Sequence, residues 1–205
     1  MNKSLVILCG GDSSRMGSDK ALLPFKDKTM VEYIYDRFAP HYDKVYLSVN
    51  EWGDYTHLGL DVQEIPDIYR NAGPMGGILS SLTMITEEKA FFMPVDTPFM
   101  DPALGLYLYD HSDGYDITTF KFPADFASSV CAVYSKHCIA ALGKCILAKN
   151  VTRSNFQSKC YTNSIPVEEI ANISHISMEQ QLYPISDRNA YYMALFSILK
   201  HNFVS

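Results

Sequence analysis

The chain has 205 residues, enough for one α/β domain with a filled core, and its 47% hydrophobic and 20% charged residues are those expected of a soluble globular protein. A formal net charge of −6 argues against a nucleic-acid binder, which would present a basic face. It leaves room for a nucleotide pocket built from a few local cations, backbone N–H groups and a metal ion.

The apolar run Leu5-Val6-Ile7-Leu8-Cys9 reads as a first strand over residues 4–9, covered on both faces. It is too short to span a membrane and ends in glycines, unlike a secretory leader. A Gly/Ser/Asp loop follows. Residues 29–38 read as a helix, with Thr29 at the N-cap and Glu32 three positions on, a capping-box pattern. Strands are expected over 43–49 and 60–65. A helix over 74–85 starts at Pro74 and buries Ile78, Leu79, Leu82 and Ile85. A very apolar strand over 90–95 and a helix over 102–109 come next, then strands over 115–122 and 128–134 and a helix over 136–147. Residues 149–183 lack a clear period; loops, a short helix and room for one strand are expected there. A helix over 187–199, capped by Asp187 or Ser186, closes the sequence. Alternating strands and helices point to an α/β fold: a single Rossmann-like, three-layer domain over 1–205, its central sheet mostly parallel with helices on both faces.

Cys9, Cys131, Cys138, Cys145 and Cys160 are odd in number and include no C-x-x-C pair, so reduced thiols in the cytoplasm are expected rather than disulfides or a zinc site. Cys138 and Cys145, seven apart, fit one buried helix face. His41, His57, His111, His137, His175 and His201 are scattered without metal spacing, and are expected at the surface or in loops.

In open parallel sheets, ligands bind outside the carboxyl ends of the strands. The first strand runs into Gly10-Gly11-Asp12-Ser13-Ser14-Arg15-Met16-Gly17-Ser18-Asp19-Lys20, and the next three end at Asn50, near Asp67 and at Asp96. Gly10 and Gly11 allow a sharp turn whose N–H groups approach an anion, while Arg15 and Lys20 add positive charge. The loop is neither a Walker A loop nor a dinucleotide fingerprint, since Gly17 is followed by Ser18-Asp19 and no G-x-G-x-x-G occurs. The alternative is an ordinary surface turn with solvated charges. Asp96, after Phe91-Phe92-Met93-Pro94-Val95, needs compensation, which a magnesium ion on triphosphate oxygens would supply. The alternative is a cap on the turn Thr97-Pro98 or on the next helix. Asn50 and Asp67 likewise suit turns. Gly73-Pro74-Met75-Gly76-Gly77 opens a helix, either to receive a ligand or to pack closely on the sheet.

The segment Leu8-Cys9-Gly10-Gly11 through Arg15-Met16-Gly17 to Asp19-Lys20 resembles the L-x-G-G-x-x-x-R-M-G-x-D-K signature of the MobA-like nucleotidyltransferases. Gly73-Pro74-Met75-Gly76-Gly77-Ile78 is similar to the family's G-P-L-A-G-I segment, and Pro94-Val95-Asp96-Thr97-Pro98-Phe99 to its P-C-D-T-P-Y/F segment. The three occur in the family's order, and the resemblance is strong over about residues 3–105. It implies a fold of the nucleotide-diphospho-sugar transferase type, with nucleotide binding in about 1–105 and acceptor binding in about 106–205. It implies transfer of GMP from GTP to the phosphate of molybdopterin, with release of pyrophosphate and formation of molybdopterin guanine dinucleotide. Leu8, Cys9 and Gly10 would contact the nucleotide, Lys20 its phosphates, and Asn50 and Asp67 the GTP; Asp96 would bind both GTP and magnesium. The double glycine and Thr97 look like the guanylyl branch, against the A-A-G and D-Q-P of cytidylyl relatives. Molybdoenzymes or cofactor-delivery proteins would be transient partners.

The second half departs from the family. Phe126-Ala127-Ser128-Ser129-Val130 replaces its His-Pro stretch, and Ile185-Ser186-Asp187-Arg188 stands where an N-x-N-T-P-E segment is usual, making Asp187 or Ser186 the candidate to replace the Asn beside the metal. Two rivals follow: a cytidylyl- or sugar-phosphate nucleotidyltransferase, and an inactive nucleotide-binding module. Retention of Arg15, Lys20 and Asp96 speaks against the second.

Overall fold

β1 (Ser4–Leu8) is buried along its whole length. Leu5, Ile7 and Cys9 enter one hydrophobic cluster, and Val6 and Leu8 enter the other, as the two-residue period of a central strand requires. The structure, a computed structural model, describes residues 2–10, 17–69, 72–121, 130–170 and 172–202.

A single 3₁₀ turn (Lys20–Leu22) and a small hairpin of β2 (Pro24–Phe25) and β3 (Lys28–Thr29) precede α1 (Met30–Phe38). The expected capping box is formed: Glu32 Oε2 accepts the Thr29 N–H at 2.8 Å, and Thr29 Oγ1 accepts the Glu32 N–H at 3.4 Å. β4 (Lys44–Val49), β5 (Gln63–Pro66), α2 (Pro74–Met84), β6 (Lys89–Pro94) and α3 (Pro102–Asp110) complete the first half. Then come β7 (Ile117–Lys121), β8 (Ala132–Ser135), α4 (Cys138–Leu147), α5 (Arg153–Gln157), β9 (Thr162–Pro166), the short α6 (Val167–Ile170) and α7 (Met178–Gln181), and α8 (Arg188–Asn202).

Seven strands form one sheet in the order β5-β4-β1-β6-β8-β7-β9. β1 pairs in parallel with β4 and β6, and β4 with β5, so the carboxyl ends of these four strands share one edge. β8 runs antiparallel to both neighbours, β6 and β7. The mostly parallel sheet is the one expected. Residues of α1, α3 and α8 pack on one face and those of α2, α4 and α5 on the other. Along α2 and its C-cap residue, Ile78, Leu79, Leu82 and Ile85 are at most 3% exposed, and each such side chain stabilises the fold by about 1.5–3 kcal/mol.

Most boundaries shift by one to three residues from expectation. The helix expected from 136 starts at Cys138, and the Lys136 N–H before it donates to Glu88 O at 2.8 Å. The strand expected over 128–134 is seen as Ala132–Ser135, and 122–129 lie outside the described residues. The described residues of 149–183 hold three short helices and one strand: the strand is the one there was room for, and the helices are two more than expected. Asp187 caps α8, its Oδ1 accepting the Ala190 N–H at 2.9 Å. Cys138 and Cys145 are buried on one face of α4, and Cys160 is half-buried. His41, His57, His111, His137 and His175 are exposed. Among the described residues, no helix is long and apolar enough to cross a membrane.

The second glycine cluster is explained by close packing. A Cβ on Gly76 would lie 2.6 Å from Tyr69 O, and one on Gly77 2.7 Å from Ser48 Oγ. Gly76→Ala therefore pushes on backbone and is expected to lower stability by about 1–3 kcal/mol in a denaturant melt. An unchanged midpoint would show that α2 can retreat from the sheet at no cost.

Candidate active site

The sheet edge gathers the carboxyl ends of β1, β4, β5 and β6, and of the polar residues named from the sequence Asn50, Asp67 and Asp96 follow those strands. Asp96 follows β6 and Lys20 opens the 3₁₀ turn after the glycine-rich loop, 76 residues apart in the chain. Lys20 Nζ donates to Asp96 Oδ2 at 3.1 Å, and the two side chains are 20% and 22% exposed. The capping roles open to Asp96 are filled by others. Thr97 Oγ1 donates to Pro94 O at 3.1 Å to close the turn, and Asp101 Oδ1 accepts the Ala103 N–H at 2.9 Å to cap α3. Asp96 is thus left to face a cation.

Leu8 and Cys9 are buried and Gly10 is half-buried. The Cys9 and Gly10 N–H groups both donate to Ser48 O, at 2.9 and 3.0 Å, and Val95 N–H donates to Leu8 O at 3.1 Å. The amide of Gly10 therefore extends the sheet pairing and is spent, a correction to the expectation that it lines an anion cradle. What Gly10 offers is space: Asn50 Oδ1 lies 3.0 Å from where its Cβ would stand. Gly11 and Arg15 lie outside the described residues. Asn50 is released from turn duty, since Asp54 Oδ2 accepts the Glu51 N–H at 3.0 Å. Asp67 is not: its Oδ1 accepts the Tyr69 N–H at 2.8 Å and lies 3.0 Å from Ser80 Oγ, tying the loop to α2. Its Oδ2 sits 2.9 Å from the Cβ position of Gly76.

Three contacts were not specified by sequence reading, although the first brings in the 185–188 segment that the family resemblance had set beside the metal. The Ile185 N–H donates to Asp96 O at 2.8 Å, so the segment before α8 runs beside the β6 end. Arg188, in the first turn of α8, brings a guanidinium nitrogen to 3.2 Å from the Cβ position of Gly17, whose φ is +71°. A cation from the second half thus meets the loop of the first. Asp187, proposed for the metal, spends Oδ1 on the α8 cap; Ser186 is half-buried next to it. Tyr55 makes the third: its hydroxyl donates to Asp19 Oδ2 at 2.7 Å.

Burial, and then the nearby Asp19, Glu64 and Asp54 carboxylates, push the Cys9 thiol well above its ordinary pKa, so it stays neutral. Burial also pushes the Tyr55 phenol up, followed by Cys9 and its hydrogen bond to Asp19. Among the described residues, no three His, Cys, Asp or Glu side chains form a metal cluster. The donor set nevertheless fits a magnesium ion, which typically takes one or two carboxylates and completes its shell with substrate phosphates and water.

A family model described as a MobA-like NTP transferase domain matches residues 5–159. A protein of Pelotomaculum thermopropionicum named probable molybdenum cofactor guanylyltransferase is 30% identical over 173 residues, covering 84% of this chain and 83% of the relative. A Clostridium perfringens protein of the same name is 33% identical over 172 residues, covering 82% of each. Among solved structures, molybdopterin-guanine dinucleotide biosynthesis protein A from Archaeoglobus fulgidus is similar with a TM-score of 0.82 at 18% identity, over 96% of this chain and 99% of that one. The 2-C-methyl-D-erythritol 4-phosphate cytidylyltransferase of Thermus thermophilus has a TM-score of 0.70 at 12% identity, over 96% and 98%. The two structural likenesses establish a shared fold.

The buried, neutral Cys9 thiol is expected to stay unlabelled when the native protein meets a maleimide near neutral pH. Half-buried Cys160, its thiol lowered by a hydrogen bond with Cys138, reacts first. Peptide mass mapping checks this, and prompt labelling of Cys9 would contradict the closed packing at the end of β1.

Proposed function

The chain belongs to the MobA-like NTP transferase family, a family of nucleotidyltransferases, and from that premise we propose that it transfers GMP from GTP to the phosphate of molybdopterin, releasing pyrophosphate. The observation that carries this reading is the Lys20–Asp96 pair, 3.1 Å apart at the shared edge of four parallel strands. The names of the relatives support guanylyl transfer and molybdopterin as the acceptor. The double glycine at Gly10-Gly11 and Thr97 after Asp96 support GTP over CTP. A role in molybdenum cofactor synthesis is compatible with a cytoplasmic location, and molybdoenzymes or delivery proteins would be its transient partners.

The resting pair is two halves of the substrate's charge complement. Lys20 turns its ammonium to the triphosphate oxygens, and Asp96 is freed to hold the metal. Magnesium, when bound by Asp96 and phosphate oxygens, neutralises charge on the reacting phosphates. An oxygen of the acceptor phosphate attacks the α-phosphorus of GTP in line; the bond to the β-phosphate oxygen breaks and pyrophosphate leaves. That phosphate is already ionised near neutral pH, so no general base is needed, and catalysis is alignment and charge stabilisation. Lys20 and Arg15 stabilise the charge growing on pyrophosphate. Leu8, Cys9 and Gly10 wall the nucleotide site, the family motif assigns Gly11 to the nucleotide as well, Asn50 contacts the nucleotide over Gly10, and Asp67 reaches it with Oδ2. Arg188 adds a cation from the acceptor half.

Incubation with each of the four NTPs, magnesium and molybdopterin, followed by pyrophosphate release, tests the assignment: turnover is expected with GTP. Turnover with CTP alone, or only with a sugar phosphate as acceptor, would overturn it. Asp96→Asn is expected to lose activity while keeping its melting temperature, and near-normal turnover would remove Asp96 from the metal role. Lys20→Ala is expected to lower turnover by about 10²-fold, the scale of one charge-stabilising donor; steady-state kinetics checks it.

A further inference from the structure

Asp19 lies inside the loop motif, yet the reaction above gives it no task. Its two carboxylate oxygens are both engaged. Oδ1 accepts the Ala21 N–H at 2.9 Å and so caps the 3₁₀ turn Lys20–Leu22, while Oδ2 accepts the Tyr55 hydroxyl at 2.7 Å. That turn is only three residues long and its own closing bonds are long, 3.3 Å from Leu22 N to Asp19 O and 3.2 Å from Leu23 N to Lys20 O. It has little to hold its first residue, Lys20, in place by itself.

Tyr55 is well anchored at its other end. It belongs to the crossover between β4 and β5 and is 3% exposed. Its N–H donates to Glu64 Oε1 at 2.8 Å, and the Gly53 N–H donates to Glu64 Oε2 at 2.6 Å. Glu64 is 5% exposed on β5, where it pairs with Leu47 of β4. A carboxylate this deep costs free energy unless it is hydrogen-bonded, and here two amides of the crossover satisfy it. A continuous chain of bonds therefore runs from the sheet through Glu64, the Tyr55 ring and Asp19 to the turn that carries Lys20.

We propose that Tyr55 is a positioning residue for Lys20: its hydroxyl, braced on Glu64, clamps Asp19 and so fixes the turn from which the ammonium reaches Asp96 and the triphosphate. A tyrosine suits the task because its rigid ring transmits position with two rotatable bonds, and a misplacement of about 1 Å can cost up to 10²-fold in rate. The proposal rests on the phosphate role given to Lys20.

The test is a double-mutant cycle of Tyr55→Phe and Lys20→Ala, reading kcat and KM for GTP with molybdopterin as acceptor, alongside the melting temperature of each protein. Tyr55→Phe keeps the buried ring and removes only the hydroxyl. It is expected to lower kcat by about tenfold in the natural background and by less than about twofold once Lys20 is alanine. Asp19→Ala attacks the same link from its other side, and should give a similar loss that does not multiply with that of Tyr55→Phe. Equal losses from Tyr55→Phe in both backgrounds would mark a general structural role and overturn the proposal. So would an undiminished kcat beside a crippled Lys20→Ala, which leaves the Lys20 reading standing. Normal turnover of Lys20→Ala would instead sink that reading, and the clamp with it.

Discussion

The site depends on one ion pair whose partners stand 76 residues apart in the chain. Asp96 stands at the end of a strand buried from Ala90 to Met93, where a carboxylate needs a countercharge, and Lys20 Nζ supplies it at 3.1 Å. Each side chain is still about a fifth exposed, 20% for Lys20 and 22% for Asp96. The pair is therefore sheltered enough to be held in place and open enough to be exchanged for a ligand. A ligand carrying both phosphate and metal offers each partner a replacement of the same sign, so neither charge is stranded when the pair separates. A ligand with only one of the two would leave a charge uncompensated.

Everything around the pair serves its placement. Parallel pairing of β1 with β4 and β6 brings the end of β1 alongside the end of β6, which Asp96 follows, and the Ser48 carbonyl extends the β1–β4 pairing by taking the amides of Cys9 and Gly10. Gly76 and Gly77 let α2 lie against the Asp67 loop and Ser48, which sets the floor of the edge. From the far half of the chain, the Ile185 amide ties the segment before α8 to the Asp96 carbonyl, and this delivers Arg188 to Gly17. The half of the chain that departs from the family's acceptor motifs is thus stitched to the same few residues.

Much of this was legible in the sequence because it is local. Continuous apolar runs mark β1 and β6, the Thr29–Glu32 box marks the start of α1, and polar residues at strand ends mark the edge. Turn and cap chemistry also decided between rival readings once geometry was known: Thr97 and Asp101 take the capping work and free Asp96, whereas Asp67 keeps its turn. What stayed hidden depends on pairs distant in the chain. Nothing in the residues around Tyr55 announces Asp19, and nothing in Ile185-Ser186-Asp187-Arg188 announces Gly17. The capture of the Gly10 amide by Ser48 depends on how far strand pairing continues past β1. The short helices of residues 153–181 lack the length over which a helical period can be read.

A crystal structure of the protein with magnesium and a non-hydrolysable GTP analogue tests the central claim most directly. The account predicts a separated pair, with Lys20 Nζ about 3 Å from a phosphate oxygen and an Asp96 oxygen about 2.1 Å from the ion. An analogue bound elsewhere, with Lys20 still on Asp96, would contradict it.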